Sequence, residues 1–349
     1  MKNKCLALAL LSVLFVQCNE RNPDSRPAEK KKPPVDEHSL PPVTELTGAD
    51  RTVFVTTMEE PFTPGLNVVY TPAFLYTWDA LRETQHGHLS VPAGEPILQL
   101  IHTSSSWKNT LDEGEYDKDV AVSGEMISIQ TAFKRTVAFE MPFDTIADLT
   151  FLGQHVKGFG MRDYSGQLSE QVLILYYKDD EHFIVELRTR SSNDRLILAR
   201  GFEQETPLSG MYAAIGKAIA QGAEEMQITE EAWKYTLNKG DRLSVPRLCF
   251  NIHAAYTTLV GRILQGEQRP LRIQKAGQRT ALLLDEYGAK VESEAVLAAG
   301  SAAPGPVVQQ PAPKLLLFDK PFVMLMEKPS AAFPYFMMKV ENTRLMTAR

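Results

Sequence analysis

The spacing of apolar residues changes several times along the chain, and each change marks an element. Thr52–Thr57 and Leu66–Tyr70 are short runs rich in β-branched and aromatic residues and predict strands, whereas Phe74–Leu81 has helical spacing. Met126–Phe133 and Thr136–Met141 are apolar or alternating runs of strand type. Gln171–Tyr177 and His182–Leu187 flank the polar cluster Lys178-Asp-Asp-Glu181, which predicts a hairpin. Met211, Ala214, Ile215, Ala218 and Ile219 fall on one helical face within Ser209–Gln221, and Thr229–Leu237 predicts a second helix behind a weak cap at Thr229. Leu243–Ile252 and Ala281–Leu284 predict strands, and Phe322–Met326 and Phe336–Val340 are two final apolar ones. No internal repeat is visible. An early helix followed by strands with few helices predicts an α+β fold with large sheets, held in one body from Arg51 to Arg349.

Two stretches lack such periodicity. Asn19 to Asp50 is rich in proline, lysine and acidic residues (Arg26-Pro-Ala-Glu-Lys-Lys-Lys-Pro-Pro34) and buries too little apolar surface to fold, which predicts an extended tether over 18–50. Ala298–Lys314 is small, proline-rich and uncharged before its last residue, and it lies between two strand-type runs. It predicts a long exposed loop, about 288–314, of the kind that is usually functional.

The chain has 349 residues, a formal net charge of −6 and 44% hydrophobic residues. That composition is ordinary for a globular protein and gives no basic field for nucleic acid. At the N-terminus, Lys2 and Lys4 precede an apolar stretch from Cys5 to Val16 that has signal-peptide length. Cys18 follows at the switch to Asn19-Glu20-Arg21. Residues 1–17 therefore resemble a bacterial lipoprotein signal, with Cys18 as the acylated residue anchoring the chain to a membrane. Gln17 departs from that pattern, which usually has a small residue before the cysteine; an ordinary cleaved signal is the alternative. With Cys5 removed and Cys18 acylated, Cys249 is alone, so no disulfide is expected.

The flanks of the loop carry a resemblance. Gln278-Arg-Thr-Ala-Leu-Leu-Leu-Asp-Glu-Tyr-Gly288 resembles the serpin strand that ends in Glu-x-Gly and leads into the reactive-centre loop. Phe318-Asp-Lys-Pro-Phe-Val-Met-Leu-Met326 resembles the strand after that loop, and Phe336-Met-Met-Lys-Val-Glu-Asn342 the closing strand. Upstream, Asn67-Val-Val-Tyr-Thr-Pro72, Phe139-Glu-Met-Pro-Phe-Asp144, Val172-Leu-Ile-Leu-Tyr-Tyr-Lys178 and Leu243-Ser-Val-Pro-Arg-Leu-Cys-Phe250 resemble further serpin motifs in the same order. The stretch between Ala80 and Met126 is much shorter than its counterpart in the family.

The resemblance implies a suicide inhibitor and not an enzyme. A protease acylates itself on the loop, and the cut loop enters the main sheet as an extra strand. The partner would be a serine or cysteine endopeptidase, with no cofactor and a monomeric inhibitor. The hinge would comprise Glu286 and Gly288, with Ala289, Val291, Ser293 and Ala295 inward and Lys290, Glu292 and Glu294 outward. The family's usual spacing puts the cut bond near Ala302–Ala303, a small bait suited to an elastase-like enzyme. Three departures count the other way. Charged residues interrupt the small-residue run after the hinge, Thr131 and Gln278 stand where the family has an Asn–His pair, and Phe139 replaces a tryptophan. Thr131 and Gln278 could still hydrogen-bond each other. The alternative is a non-inhibitory, lipid-anchored binding or structural module on a serpin-like fold.

Other motifs are weaker. Ser105-Ser-Trp-Lys108 matches Ser-x-x-Lys, but neither Ser-Asp-Asn nor Lys-Thr-Gly follows. His86-Gly-His88 lacks a third ligand at familiar spacing. Asp112–Asp119 is acidic without calcium-loop order and reads as a solvated connection. Gly158 and Gly160 lack the third glycine of a dinucleotide turn. Met324, Met326, Met337 and Met338 read as core filler.

Overall fold

A computed structural model describes residues 39–133, 137–162, 166–203, 206–290 and 312–348, all within one compact unit, His38–Arg349. In chain order the elements are β1 (Thr44–Glu45), β2 (Thr52–Val55), β3 (Asn67–Tyr70), α1 (Ala73–Thr84), α2 (Pro96–Thr103), β4 (Tyr116–Ser123), β5 (Met126–Phe133), β6 (Val137–Ala138), β7 (Asp144–Phe151) and β8 (Gln154–Met161). They continue as α3 (Gly166–Glu170), β9 (Val172–Asp179), β10 (His182–Arg188), β11 (Arg195–Arg200), α4 (Leu208–Glu225), β12 (Arg242–Pro246), β13 (Leu248–Ala255) and β14 (Ile263–Gln265). Last come β15 (Pro270–Asp285), β16 (Gly288–Lys290), β17 (Leu315–Leu317), β18 (Phe322–Glu327) and β19 (Phe336–Val340).

Among the described residues the strands form three sheets, and the α+β class expected from the sequence holds. A seven-stranded sheet runs β2-β3-β19-β18-β11-β10-β9. Its central strands are buried on both faces because apolar residues fill both sets of alternate positions. Leu196, Leu198, Met324, Met326 and Met338 join one core cluster; Ile197, Ala199, Val323, Leu325 and Met337 join another with Met211 and Ile215 of α4. The four methionines are thus core, as expected.

The main sheet has eight strands. β1, β13 and β15 follow one another, β5 and β4 continue on the other side of β15, β14 pairs with the start of β15, and β16 and β6 sit at the other end. α1 buries Phe74, Leu75, Trp78 and Leu81 in the core beneath this sheet, where its apolar residues share one helical face. A four-stranded sheet, β17-β12-β8-β7, lies beside the hinge. Gly158 and Gly160 serve close packing there: a Cβ on Gly160 would lie 2.0 Å from the Leu243 carbonyl oxygen, and one on Gly158 2.9 Å from that of Val245.

Several expectations need correction. The run Leu243–Ile252 is two strands in two different sheets, because the chain turns at Pro246-Arg247 and Arg247 turns its charge inward. Thr229–Leu237 forms only a 3-10 turn over Ala232–Tyr235. That stretch is too short to hold a helix unaided, and the Trp233 ring is instead engaged by Tyr177. The acidic run is only partly a connection: Tyr116–Ser123 is an edge strand in which Tyr116 and Val120 are half-buried and the polar residues face out. Ala80–Met126 accordingly holds α2 and β4.

The folded body also begins before Arg51. Thr44 and Glu45 pair with β13, and Thr47 and Asp50 form a capping box around Gly48–Asp50. Backbone pairing and a local cap ordered this segment, although it contributes little apolar surface.

Candidate functional site

The site is where β15 ends and β16 begins, at the start of the segment expected from the sequence to be the loop, and three observations define it. The first is the behaviour of the main sheet. β5 and β15 pair directly, in parallel, from Met126–Arg272 to Phe133–Thr280. Beyond that level β16 lies between β15 and β6. It pairs antiparallel with β15 (Asp285 with Gly288, Leu284 with Ala289, Leu283 with Lys290) and antiparallel with β6 (Gly288 with Ala138, Ala289 with Val137). The first residues of the loop thus already occupy a strand position in the sheet.

Gly288 makes this possible. Its φ is +129°, and a Cβ there would lie 2.3 Å from the Val137 carbonyl oxygen and 2.8 Å from Ala138 Cα. Ala289 follows, 2% exposed, its methyl in the core. Residues 137–143 grip the hinge backbone from the other side. Phe139 N–H donates to the Tyr287 carbonyl and Phe143 N–H to the Glu286 carbonyl, both at 2.9 Å. The Phe139 ring is buried edge-on against Phe143, with centroids 4.9 Å apart, and lies 5.9 Å from Phe159.

The second observation is an ion cluster that the sequence reading missed. Arg247, 3% exposed, approaches Asp285 Oδ2 through a terminal guanidinium nitrogen and Glu286 Oε2 through Nε, each at 3.4 Å. The Glu286 approach is an ion contact without hydrogen-bond alignment. Thr145 Oγ1 donates to the other Glu286 oxygen at 3.4 Å, and the Asp285 carboxylate accepts the Tyr287 N–H at 2.9 Å. One buried cation thus holds two carboxylates at the loop's origin. A charge inside the apolar run Leu243–Phe250 was the available signal. Nearby, burial pushes the Cys249 thiol up, opposed by Arg247, which leaves it a poor nucleophile.

The third observation is the far end of the loop. Lys314 is 1% exposed. Its ammonium donates to the Thr236 carbonyl at 2.9 Å and pairs with Asp241 at 3.1 Å, over the rings of Trp233 and Tyr177 at 5.5 and 5.9 Å. Its backbone N–H donates to the same carboxylate at 2.7 Å. β17 then pairs with β12. Gly288–Lys290 and Lys314–Leu317, which flank the undescribed residues 291–311, are therefore both fixed to the body.

Thr131 and Gln278 are neighbours in the β5–β15 register, yet they do not bond each other. Thr131 donates to the Asp117 carbonyl at 2.8 Å. Gln278 donates to Thr71 and Thr280 beneath the sheet at 2.8 and 3.0 Å, and its carbonyl oxygen is buried without a partner. The long glutamine side chain reaches past its neighbour into the core. Cys18, Val291, Ser293, Ala295, Ala302 and Ala303 lie outside the described residues.

The other motifs are separate from this site. Ser105 and Lys108 share an exposed turn in which Lys108 N–H donates to the Ser105 carbonyl at 3.2 Å. His86 pairs with Glu267 at 2.8 Å.

No family model matches the chain, and no curated protein matches it. Among solved structures it is similar to Serpin48 of the insect Tenebrio molitor, described as highly specific: identity is 13%, coverage 79% of this chain and 92% of that one, and the TM-score 0.43. It is also similar to a thyroxine-binding globulin in complex with thyroxine (16% identity, 62% and 56% coverage, TM-score 0.36). A serpin from the trematode Schistosoma haematobium matches at 12% identity, with coverage of 62% and 56% and a TM-score of 0.37. These likenesses are remote, and the hinge, ion cluster and loop anchors stand on this chain's own residues.

Proposed function

We propose that this chain is a serpin-type suicide inhibitor of endopeptidases, held at the bacterial cell envelope by lipid on Cys18. The observation that supports this reading is β16. A strand position between β15 and β6 is already taken by the first loop residues, and below it β5 and β15 meet directly. Each further loop residue that enters would extend β16 and replace a β5–β15 pairing with two new ones.

The chemistry belongs to the protease. Its serine or cysteine nucleophile attacks the Ala302 carbonyl, the Ala302–Ala303 bond breaks, and the Ala303 amine leaves with a proton. Ala302 remains esterified to the enzyme. The freed segment then enters the sheet, with Ala289, Val291, Ser293 and Ala295 inward, and carries the acyl-enzyme with it before water can release it. Small bait residues suit an elastase-like specificity pocket. Lys314 and Asp241 keep the downstream end on the body throughout.

The second reading is a non-inhibitory, lipid-anchored binding or structural module. It is favoured by Gln278, which is tied to Thr71 and Thr280 and not to Thr131 across the opening, and by the charges at Lys290, Glu292 and Glu294. Mixing residues 19–349 with an elastase-like protease and running a denaturing gel separates the two. Inhibition predicts a covalent band at the mass of the protease plus residues 19–302, with residues 303–349 released by denaturation. Clean cleavage within 288–314 beside a fully active protease favours the second reading.

A further inference from the structure

Two motifs that the hinge leaves unused, Ser105-Ser-Trp-Lys108 and the acidic run from Asp112, meet in the fold and line one cleft of about 910 Å³. Its remaining walls are the turn between β10 and β11, at Ser191–Asn193, and the turn after β18, at Lys328–Ser330. That volume is at the upper end of the range of about 300–1,000 Å³ for small-molecule sites. Bonds made within the body fix each wall. The Lys328 ammonium, on a side chain 11% exposed, lies 2.7 Å from Asp112 and 3.4 Å from Glu115. Glu115 also accepts the Asp112 N–H at 2.8 Å. The Tyr76 hydroxyl donates to the Leu111 carbonyl at 3.1 Å and accepts the Leu111 N–H at 3.0 Å, while its ring meets that of Trp107 edge-on at 4.9 Å. On the β10–β11 turn, Thr189 Oγ1 lies 2.7 and 2.9 Å from the Ser191 and Asp194 carbonyl oxygens, and the buried Tyr335 hydroxyl donates to Asp194 at 2.7 Å. The cleft is thus preformed, and a ligand need not order it.

The lining selects a class of ligand. Its carbon surface is mainly ring surface, from half-buried Trp107 and Tyr76 and from exposed Pro329. Around these rings stand carboxylates, which only accept hydrogen bonds, ammonium groups, which only donate, and asparagine and serine side chains, which do both. The formal charges of Asp112 and Glu115 balance those of Lys108 and Lys328. A sulfated or phosphorylated chain would bring its anions against the two carboxylates. A peptide would need a strand edge for its backbone, and these walls are turns. A sugar ring matches both features: its C–H face is apolar, and its rim carries hydroxyls that donate and accept. We propose that this cleft binds a neutral oligosaccharide, with one sugar ring against Trp107 and the hydroxyls shared among Asp112, Asn109 and Asn193. The proposal does not depend on insertion of the loop.

The test titrates the full chain, purified in a zwitterionic detergent, with maltotetraose, cellotetraose and N-acetylchitotetraose by calorimetry, and with a heparin tetrasaccharide as the anionic counterpart. At least one neutral sugar should bind with a Kd below about 1 mM. Trp107→Ala should weaken that binding about tenfold and Asn193→Ala about threefold. Asn193 is exposed on a turn held by Thr189, so its replacement leaves the fold intact. Binding should also shift the tryptophan emission, and Trp107→Phe should abolish the shift although Trp78 and Trp233 remain. Three results would each overturn the proposal: no saturable binding of any neutral sugar up to about 10 mM, tighter binding of the heparin fragment, or binding that Trp107→Ala and Asn193→Ala both leave unchanged.

Discussion

Gly288→Ala is the sharpest perturbation of the hinge. The added Cβ would meet three backbone atoms: Val137 O at 2.3 Å, Ala138 Cα at 2.8 Å and Phe139 N at 2.9 Å. Backbone atoms in a paired strand cannot step aside as a flexible side chain can. Holding the alanine in place costs about 1–3 kcal/mol for a φ of +129°, before any overlap is counted. Withdrawing β16 instead gives up its few backbone hydrogen bonds, at about 1 kcal/mol each, and the burial of the Ala289 methyl, about 0.8 kcal/mol. Either route predicts a loss of about 2–4 kcal/mol. The assay is urea denaturation together with amide exchange at Leu283 and Ala289, which should speed up selectively. A change under about 0.5 kcal/mol with unaltered exchange would mean that β16 is not held between β15 and β6 and would refute the hinge geometry.

Arg247→Met should cost about 3–5 kcal/mol, because it removes the buried guanidinium that faces Asp285 and Glu286. The double variant with Glu286→Gln should recover part of that loss in the same denaturation series, and simple additivity would argue against the pairing. Lys314→Met should be similarly costly, by about 3–5 kcal/mol, and should loosen the loop's downstream end, read as faster exchange over Leu315–Leu317. Burial pushes the Glu60 carboxyl above its ordinary value, against hydrogen bonds from Thr56 that lower it. The folded state therefore holds this proton more tightly than the unfolded one, so stability should rise as pH falls through the folded value towards the ordinary 4.5. Glu60→Gln should remove that share of the rise between pH 7.5 and 5, and an unchanged pH profile would contradict it.

Strands whose apolar residues run on or alternate cleanly were legible from the sequence to within a residue or two. Met126–Phe133 and Phe336–Val340 are strands with those bounds, because burial alone fixes them. The hairpin of β9 and β10 was legible through its polar turn. Elements that depend on partners far along the chain were not. β4 is an edge strand with mostly exposed polar residues, so its period carried little contrast. β1 is held by backbone pairing that leaves no mark on side-chain pattern.

At the site, Gly288 and Ala289 were legible through the resemblance of Gln278–Gly288 to the serpin strand that leads into the reactive-centre loop. Arg247 and Asp241 did not, because a buried ion pair is defined by its partner and not by its neighbours in sequence. Lys314 was visible only as the single charge closing a proline-rich stretch.

Insertion of the cut loop is the central claim, and thermal denaturation before and after a single cut tests it most directly. A protease that nicks the chain once within 288–314, with the site fixed by mass spectrometry, supplies the cleaved form. The account predicts a clear rise in Tm, because a new central strand converts a kinetically trapped fold into a more stable one. An unchanged or lowered Tm after that cut would contradict it and leave a serpin-like body whose loop does not insert.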